Sequence, residues 1–335
     1  MSRRTVSDDQ PSDGRHGLPT GPMTEELPPG PSVGLVITTY MGEDLIDQTL
    51  GSVAAQSRVP DQIVLVDDHS SDLTAKRAQR WTDILPMEVI VQPRNSGVAR
   101  ARNVAAARLG TDLLTILDGD DLLLPDHVEV LTALHRIHGG LVSPRARFWI
   151  PGRSPKPYQR RIRGFIPPKS DQLARLIQRN YVFVASLVSM DDFERVGGFA
   201  EGDRDLDTTA DWDLWLRLVA RGHPVTMARQ PTVLYRVVTG SMADDTANLL
   251  RCEITQLERS ARFLDPRMQR HVALAIANRE AELEVLAATR RGERGRLAAL
   301  AAGRSGGDWR NRTRALIGAG SPAVADRYLR RRGGW

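Results

Sequence analysis

The sequence predicts an α/β fold: a mainly parallel sheet flanked by helices, with a C-terminal helical extension. Three observations predict it. Short apolar runs alternate with helical patterns from residue 33 to residue 138, the links between them are short, and two of the runs stop directly on clusters of aspartate. Strands joined by crossover helices pair in parallel and are covered on both faces. Ligands of such sheets bind beyond the carboxyl ends of the strands. Carboxylates at those ends are therefore candidate functional groups before any motif is considered.

In order, residues 33–39 form an apolar run ending in threonines, which suits a buried strand, and residues 45–56 have helical spacing. Residues 62–66 (QIVLV) read as a second strand stopping at Asp67, 71–81 as a helix and 87–91 as a third strand. Residues 97–109 make an Ala/Arg helix, and 112–117 a fourth strand stopping at Asp118. Pro125 opens a helix to about His138, and residues 141–150 are strand-like. Residues 145–169 then hold eight basic side chains, several prolines and no acid, and read as a basic loop. A strand over 182–188, a short helix and turn over 191–199, a helix over 211–220 and a strand over 232–237 follow. Beyond residue 243, Leu249, Leu250, Ile254 and Leu257 recur at helical spacing.

Composition narrows the class. The chain has 335 residues, 41% of them hydrophobic, enough for a full core. No stretch reaches the length of a membrane-spanning helix, and the polar N-terminus lacks the apolar stretch of a signal peptide. The lone Cys252 excludes an internal disulfide or a cysteine metal site. A cytoplasmic protein is expected. Net charge is +5, yet residues 290–335 carry 12 arginines and three acids, so the rest of the chain is acidic. That tail reads either as a solvated helical end or as a peripheral contact with the anionic inner face of a membrane. It has no nucleic-acid reading motif and only two aromatics, Trp309 and Tyr328, so no nucleic-acid partner is expected. A homodimer through the helices of residues 249–286 is the alternative use of the C-terminal region.

Three acidic clusters carry the chemistry. Asp118, Asp120 and Asp121 put three carboxylates within four residues at a strand end. Their repulsion rises steeply away from water, and Mg²⁺ or Mn²⁺, which favour carboxylate oxygen and diphosphate, would relieve it. A solvated turn is the plainer alternative. Asp67 and Asp68 follow the second strand, where Ser71 or Asp72 could cap the next helix. In the third cluster, Asp213 and Arg217 are i,i+4 neighbours and read as a surface pair. Asp211 lies about 200° round the helix axis from Asp213, on the face of Trp215 and Leu218. It therefore points inward, where it could take a proton from a hydroxyl or simply cap the helix.

Together these segments resemble the family 2 glycosyltransferases of GT-A fold, a Rossmann-like architecture. The match runs over residues 31–241, through VGLVITTYMGEDL, SVAAQS, QIVLVDDHSSDLT, RNSGVARARNVAAA, LDGDDLLLPDHV, RVGGF and ADWDLWLRL in the family's order. The resemblance implies four regions: a disordered leader over 1–31, a GT-A domain over 32–242, a helical extension over 243–302 and a basic tail over 303–335. It implies an inverting transfer of one sugar from a nucleotide-sugar, UDP being the commonest nucleotide, to a glycan, lipid-linked or small-molecule acceptor in cell-envelope polysaccharide synthesis. Thr38, Tyr40, Asp67, Asp68, Arg102, Asn103, Asp118 and Asp120 would bind the donor. Asp118 and Asp120 match the DxD motif that holds Mn²⁺ or Mg²⁺, with Asp121 sharing that task. Asp211 matches the catalytic base, and Gly197, Gly198, Phe199 and Trp212 would lie on the acceptor side. The basic loop would cover the donor site or meet an anionic acceptor.

This chain departs from the family at three points: Ala210 replaces the glutamate before the base, Met41 a common asparagine, and no histidine lies near Val238. Rival readings are an inactive sugar-nucleotide-binding module, a nucleotidyltransferase and a phospho-receiver domain. The intact aspartates oppose the first, and the absence of a basic residue in TTYMGEDL opposes the second. A strand precedes the acidic pair, which opposes the third.

Overall fold

Every residue of strand β1 (Val33–Thr39) is buried, because the strand has parallel partners on both sides. They are β2 (Gln62–Asp67) and β4 (Leu113–Asp118). Strand β3 (Met87–Val91) extends the sheet beyond β2, and β8 (Val188–Ser189) adds an antiparallel edge to β4, giving the order β3-β2-β1-β4-β8. The chain builds outward from β1 to β3, then returns to β4 on the other side of β1. That reversal opens a crevice at the carboxyl ends of β1 and β4. The computed structural model describes residues 30–149, 156–157, 168–202, 204–237 and 245–292. The leader through residue 29, most of the basic loop, residues 238–244 and the tail from residue 293 lie outside the described residues.

Helix α1 (Ile46–Ala54) buries Ile46, Thr49, Leu50 and Val53, one helical stripe. Helix α2 (Thr74–Gln79) is shorter than the sequence pattern, since residues 80–83 tighten into a 3-10 turn. Helix α3 (Val98–Ala106) buries Ala99, Ala101, Ala105 and Ala106, small side chains that let it lie close on the sheet, and with them Arg102. It starts at Gly97, whose φ of 93° and contact with Asp207 exclude a side chain. Helix α4 (His127–His138) follows β5 (Leu122–Leu123).

A second sheet, order β5-β9-β6-β7, joins β5 to β9 (Val225–Arg236), β6 (Leu141–Trp149) and β7 (Lys156–Pro157). The mainly parallel sheet expected from the sequence is the first of the two, and the sequence pattern did not set this second sheet apart from it. Strands β6 and β9 are parallel, with register shifts between Ser143 and Ala146. Pro144 and Pro231 lie at this irregularity, where each lacks a ladder donor. The strand expected over 182–188 is also corrected: only Val188–Ser189 enters the main sheet. Serine side chains serve the preceding buried backbone instead. Ser143 Oγ accepts from Phe183 N and Ser186 Oγ donates to Phe183 O, leaving one isolated bridge between Val142 and Leu187.

Helices α5 (Gln172–Gln178), α6 (Met190–Arg195) and α7 (Ala210–Ala220) complete the core, and α8 (Thr246–Ser260) and α9 (Gln269–Arg290) pack onto α5 and α7. Trp212 and Trp215 of α7 are fully buried. Trp212 Nε1 donates to Leu176 O, and the Arg279 guanidinium lies 5.4 Å from its ring centroid. Among the described residues no helix is long and apolar enough to cross a membrane.

The Asp213–Arg217 pair is corrected from a surface pair to a buried junction. Arg217 meets Asp213 Oδ2 at 2.6 Å and donates to Val196 O at 2.5 Å and Gly198 O at 2.7 Å. The other Asp213 oxygen accepts from Gln256 of α8 at 2.7 Å. The i,i+4 spacing was right, but the face is covered by the turn after α6 on one side and by α8 on the other. Removing one partner of a buried pair strands the other charge, at about 3–5 kcal/mol. Arg217→Ala is expected to lose that much stability in urea unfolding. A loss of a few tenths of a kcal/mol would return the pair to the surface.

Candidate active site

The strand register brings the site residues to one level. Thr38 of β1 lies opposite Asp118 of β4 and Val66 of β2, and Thr39 lies opposite Asp67. Gly119 N donates to Thr38 O, and a Cβ on Gly119 would sit 2.7 Å from Thr39 Cβ. Glycine is required there for the acidic turn to close against β1. Thr49 of α1 donates to Gly119 O at 2.9 Å from the other side.

The mouth of the crevice is held by two loops tied together. Met41 N donates to Ser70 Oγ and Gly42 N to Thr74 Oγ1, both at 2.8 Å, and Leu73 N donates to Glu43 Oε2 at 3.0 Å. Met41 (φ 52°) and His69 (φ 70°) adopt left-handed backbone without being glycine, a strain that collects at functional sites. Tyr40 is 56% exposed beside them, whereas Thr38 is buried. Asp67 is fully buried: Oδ1 accepts from Ser70 N at 2.7 Å, and Oδ2 has no partner among the described residues. Asp68 turns to the chain itself. Its Oδ1 accepts from Ser96 N and Oγ, and its Oδ2 from Gly97 N, fixing the loop that leads into α3.

Arg102 projects from α3 under the acidic turn. Its Nη2 meets Asp118 Oδ1 at 2.7 Å, its Nε has no partner among the described residues, and its guanidinium lies 5.3 Å from the Phe199 ring centroid. Asn103, expected at the donor, is corrected. Its amide donates to Phe199 O and Glu201 Oε1, and its Oδ1 accepts from Phe199 N. The side-chain amide is spent on the GGF turn and on Glu201 just after it. That turn has a different place too. Phe199 is 2% exposed beneath Arg102, and Trp212 is 1% exposed between α5 and α9, so neither has a face free for an acceptor. Gly198, at φ 64°, would bring a Cβ to 2.7 Å from Asn103 Oδ1. The Gly197-Gly198-Phe199 turn therefore buttresses Arg102 from behind.

Asp211 is half-buried at the start of α7. Its Oδ1 accepts from Trp212 N at 2.7 Å and its Oδ2 from Asn180 Nδ2 at 3.1 Å. Loss of water holds its carboxyl above the usual aspartate range, with the Arg102 charge working the other way and Asp118 adding to the rise. Asp120 is pushed up to about 6, first by burial and then by Asp118. No side chain among the described residues hydrogen bonds to it. Asp121 is fully buried; its carboxyl is raised well above the ordinary range by burial and then by Asp120 and Asp118. Its Oδ1 accepts from Arg236 N at 2.8 Å. Among the described residues no three acids, histidines or cysteines converge as a ready-made cation cage.

Two partners escaped the sequence reading. Asn180, from the loop after α5, orients Asp211. Arg236 closes β9 beneath the acidic turn, donating from Nε to Asp120 O at 2.6 Å and from Nη1 to Gln48 Oε1 at 3.1 Å. The antiparallel pairing of β5 with β9, Leu122 opposite Leu234, brings Arg236 there across more than 100 residues. No local pattern signals that pairing.

With this geometry in view, comparison with known proteins is direct. The family model described as Glycosyl transferase family 2 matches residues 35–196. The amylovoran biosynthesis glycosyltransferase AmsE of Erwinia amylovora is 28% identical over 218 residues, 62% of this chain and 76% of that protein. The validoxylamine A glucosyltransferase of Streptomyces hygroscopicus subsp. limoneus is 28% identical over 234 residues, where this chain spans half of the relative's length. Among solved structures, the mannosyltransferase PcManGT from Pyrobaculum calidifontis, in complex with GDP-Man and Mn²⁺, matches with TM-score 0.57 at 16% identity, over 90% of this chain and 88% of that one. S. aureus TarS 1–349 in complex with UDP-GlcNAc matches with TM-score 0.56 at 17% identity, over 74% and 72%. The family match, the curated relatives and the shared α/β architecture agree: the chain is a glycosyltransferase, and its residues 35–196 match glycosyl transferase family 2.

Proposed function

We propose that the enzyme transfers one sugar, with inversion, from a nucleotide-diphosphate-sugar to an acceptor hydroxyl, with Asp211 as the general base. One observation carries this reading: Arg102 bonds Asp118 at 2.7 Å, and its charge acts on both Asp120 and Asp211. A diphosphate-binding pair and a base thus share one cation at the mouth of a parallel sheet. UDP is the nucleotide proposed. The UDP-GlcNAc carried by TarS and the GDP-Man carried by PcManGT support a nucleotide-sugar donor. A glycan or lipid-linked acceptor fits a relative named for amylovoran biosynthesis, and the 12 arginines beyond residue 289 favour peripheral contact with anionic lipid there.

The residues fit a hard divalent cation. Asp120 has no hydrogen-bonding side chain of its own, and its raised carboxyl marks a charge that a cation would stabilise. Mg²⁺ and Mn²⁺ are commonly held by one or two carboxylates plus substrate phosphates, so Asp118 and Asp120 suffice without a third protein ligand. A bound ion would supply Lewis-acid stabilisation of the departing diphosphate. Ionised Asp211 takes the acceptor's hydroxyl proton while Trp212 N and Asn180 hold its carboxylate in place. The acceptor oxygen bonds to the anomeric carbon. The bond to the diphosphate breaks, and its electron pair leaves on the nucleoside diphosphate, where Arg102 meets the charge. A single displacement inverts the centre.

Asp211→Asn is expected to keep the thermal shift given by UDP with Mn²⁺ and to lose about 10²–10⁴-fold in turnover, measured as nucleoside diphosphate released from a panel of nucleotide-sugars with oligosaccharide acceptors. Asp120→Asn is expected to lose the Mn²⁺-dependent part of that shift. Turnover retained in the first variant would remove Asp211 as base.

The raised carboxyls set the pH dependence. Asp120 is protonated below about 6 and charged above it. The folded state therefore carries an increasing electrostatic cost as pH rises through that value, and cation binding offsets it. Mn²⁺ with UDP is expected to raise the Tm more at pH 7.5 than at pH 5. Turnover should likewise fall on the acid side as Asp211 is protonated, above the ordinary aspartate range. Equal Mn²⁺ shifts at both pH values would remove Asp120 from the cation site.

A further inference from the structure

Resting on the reading just given, we infer that Arg236 is a positioning residue for Asp120, and that Asp121 is a buried structural partner of the Arg236 backbone and not a cation ligand. Arg236 is 2% exposed, unusual for a charged side chain at a strand end. Two of its hydrogen bonds reach the acidic turn and a third reaches α1 beside it. Its backbone N donates to Asp121 Oδ1 at 2.8 Å, its Nε to Asp120 O at 2.6 Å and its Nη1 to Gln48 Oε1 of α1 at 3.1 Å. Its guanidinium lies 4.5 Å from the Trp149 ring centroid, which fixes the plane of the fork. Both carboxylates of the turn act on its charge.

These contacts divide the labour among the three acids. Asp118 is held by Arg102. Asp121 is fully buried, with one oxygen on Arg236 N and the other without a partner among the described residues, as is the buried Arg236 Nη2. Asp121 is thus enclosed by protein and tied to the backbone of Arg236. Asp120 alone keeps a half-buried carboxylate unbonded by any side chain among the described residues. Its main chain is clamped on the Arg236 side by the 2.6 Å bond to its carbonyl, and the next residue closes the turn through Asp121 N to Asp118 O at 3.0 Å. The bond fixes the carbonyl and with it the direction of the Asp120 side chain. A lysine keeps the charge but cannot supply the planar fork that spans Asp120 O and Gln48 together. Residues that orient a ligand from behind commonly change metal affinity by about 10–100-fold when altered.

The test follows Mn²⁺ directly, through loss of the electron-paramagnetic signal of free Mn²⁺ titrated with the full-length chain in UDP, and in GDP in parallel. UDP binding in EDTA is followed by thermal shift. Arg236→Lys is expected to weaken Mn²⁺ binding roughly tenfold or more while the EDTA shift stays at the wild-type value, a split that general loosening of the fold would not produce. Asp121→Asn, which still accepts from Arg236 N, is expected to bind Mn²⁺ like wild type. If the single Arg236 variant unfolds, the double variant Arg236→Met with Asp121→Asn removes both buried charges together; it is expected to fold and still bind Mn²⁺ weakly. Wild-type Mn²⁺ affinity in Arg236→Lys or in the double variant overturns the positioning role. A loss in Asp121→Asn equal to that in Asp120→Asn overturns the structural role of Asp121. No Mn²⁺ binding by the wild-type chain with either nucleotide overturns the donor-site reading itself, a result distinct from the other two.

Discussion

Negative charge gathered at the carboxyl edge of β1 and β4 is the constraint around which this fold is organised. Asp118, Asp120, Asp121 and Asp211 meet where burial lifts the last three above the ordinary carboxyl range. Such a cluster persists only where cations face it. The chain supplies two guanidiniums, Arg102 from α3 and Arg236 from the end of β9, each almost wholly buried. They approach the acidic turn from different elements and grip different groups: one a carboxylate, the other a main-chain carbonyl.

The supports of Arg102 account for much of the surrounding architecture. The Phe199 ring lies against its guanidinium, Asn103 pins both backbone polar groups of Phe199, and Arg217 holds the carbonyls of Val196 and Gly198 in the same turn. Arg217 is fixed by Asp213, and Asp213 by Gln256 of α8. A continuous series of hydrogen bonds and one ring–guanidinium contact thus runs from α8 to the acidic turn. Helix α8 is in this sense part of the site's foundation. The arrangement gives a physical role to residues whose motif had pointed to substrate contact.

What could be read from sequence follows the range over which each interaction acts. The alternation that gives β1 to β4 and their helices is local, and so is the stopping of two strands on aspartates; both were legible. Helix geometry separates Asp211 from Asp213 round the axis, yet Asp213 is buried and Asp211 half-buried, because α8 covers the second face as well. The second sheet was not legible, because Pro144 and Pro231 break the pattern of strands whose pairing spans some eighty residues. Nor was the burial of Asp213 and Arg217, since i,i+4 spacing fixes which side chains meet but not what covers them. Asn103 and Trp212 failed for a related reason. A motif gives the residue's place on an element, while the direction of its side chain depends on the turn or helix packed against it. Arg236 left no signal at all, because its partners Gln48, Asp120 and Asp121 lie more than 100 positions earlier.

The charge balance also bears on how ligands would enter. Two guanidiniums face four carboxylates, and three of those carboxylates resist ionisation through burial. On the proposed reading, a nucleotide diphosphate adds further negative charge to this place. Among the described residues, Arg102 is already engaged by Asp118 before the donor arrives. Donor and divalent ion then each relieve a penalty the other meets, since the ion neutralises both the turn and the phosphates. Their binding must be mutually favourable, and by linkage the factor is the same whichever binds first. The departure at Ala210 is consistent with this economy. A glutamate beside Asp211 would add a fifth carboxylate, whereas Asn180 orients the base with a neutral amide and leaves the balance unchanged.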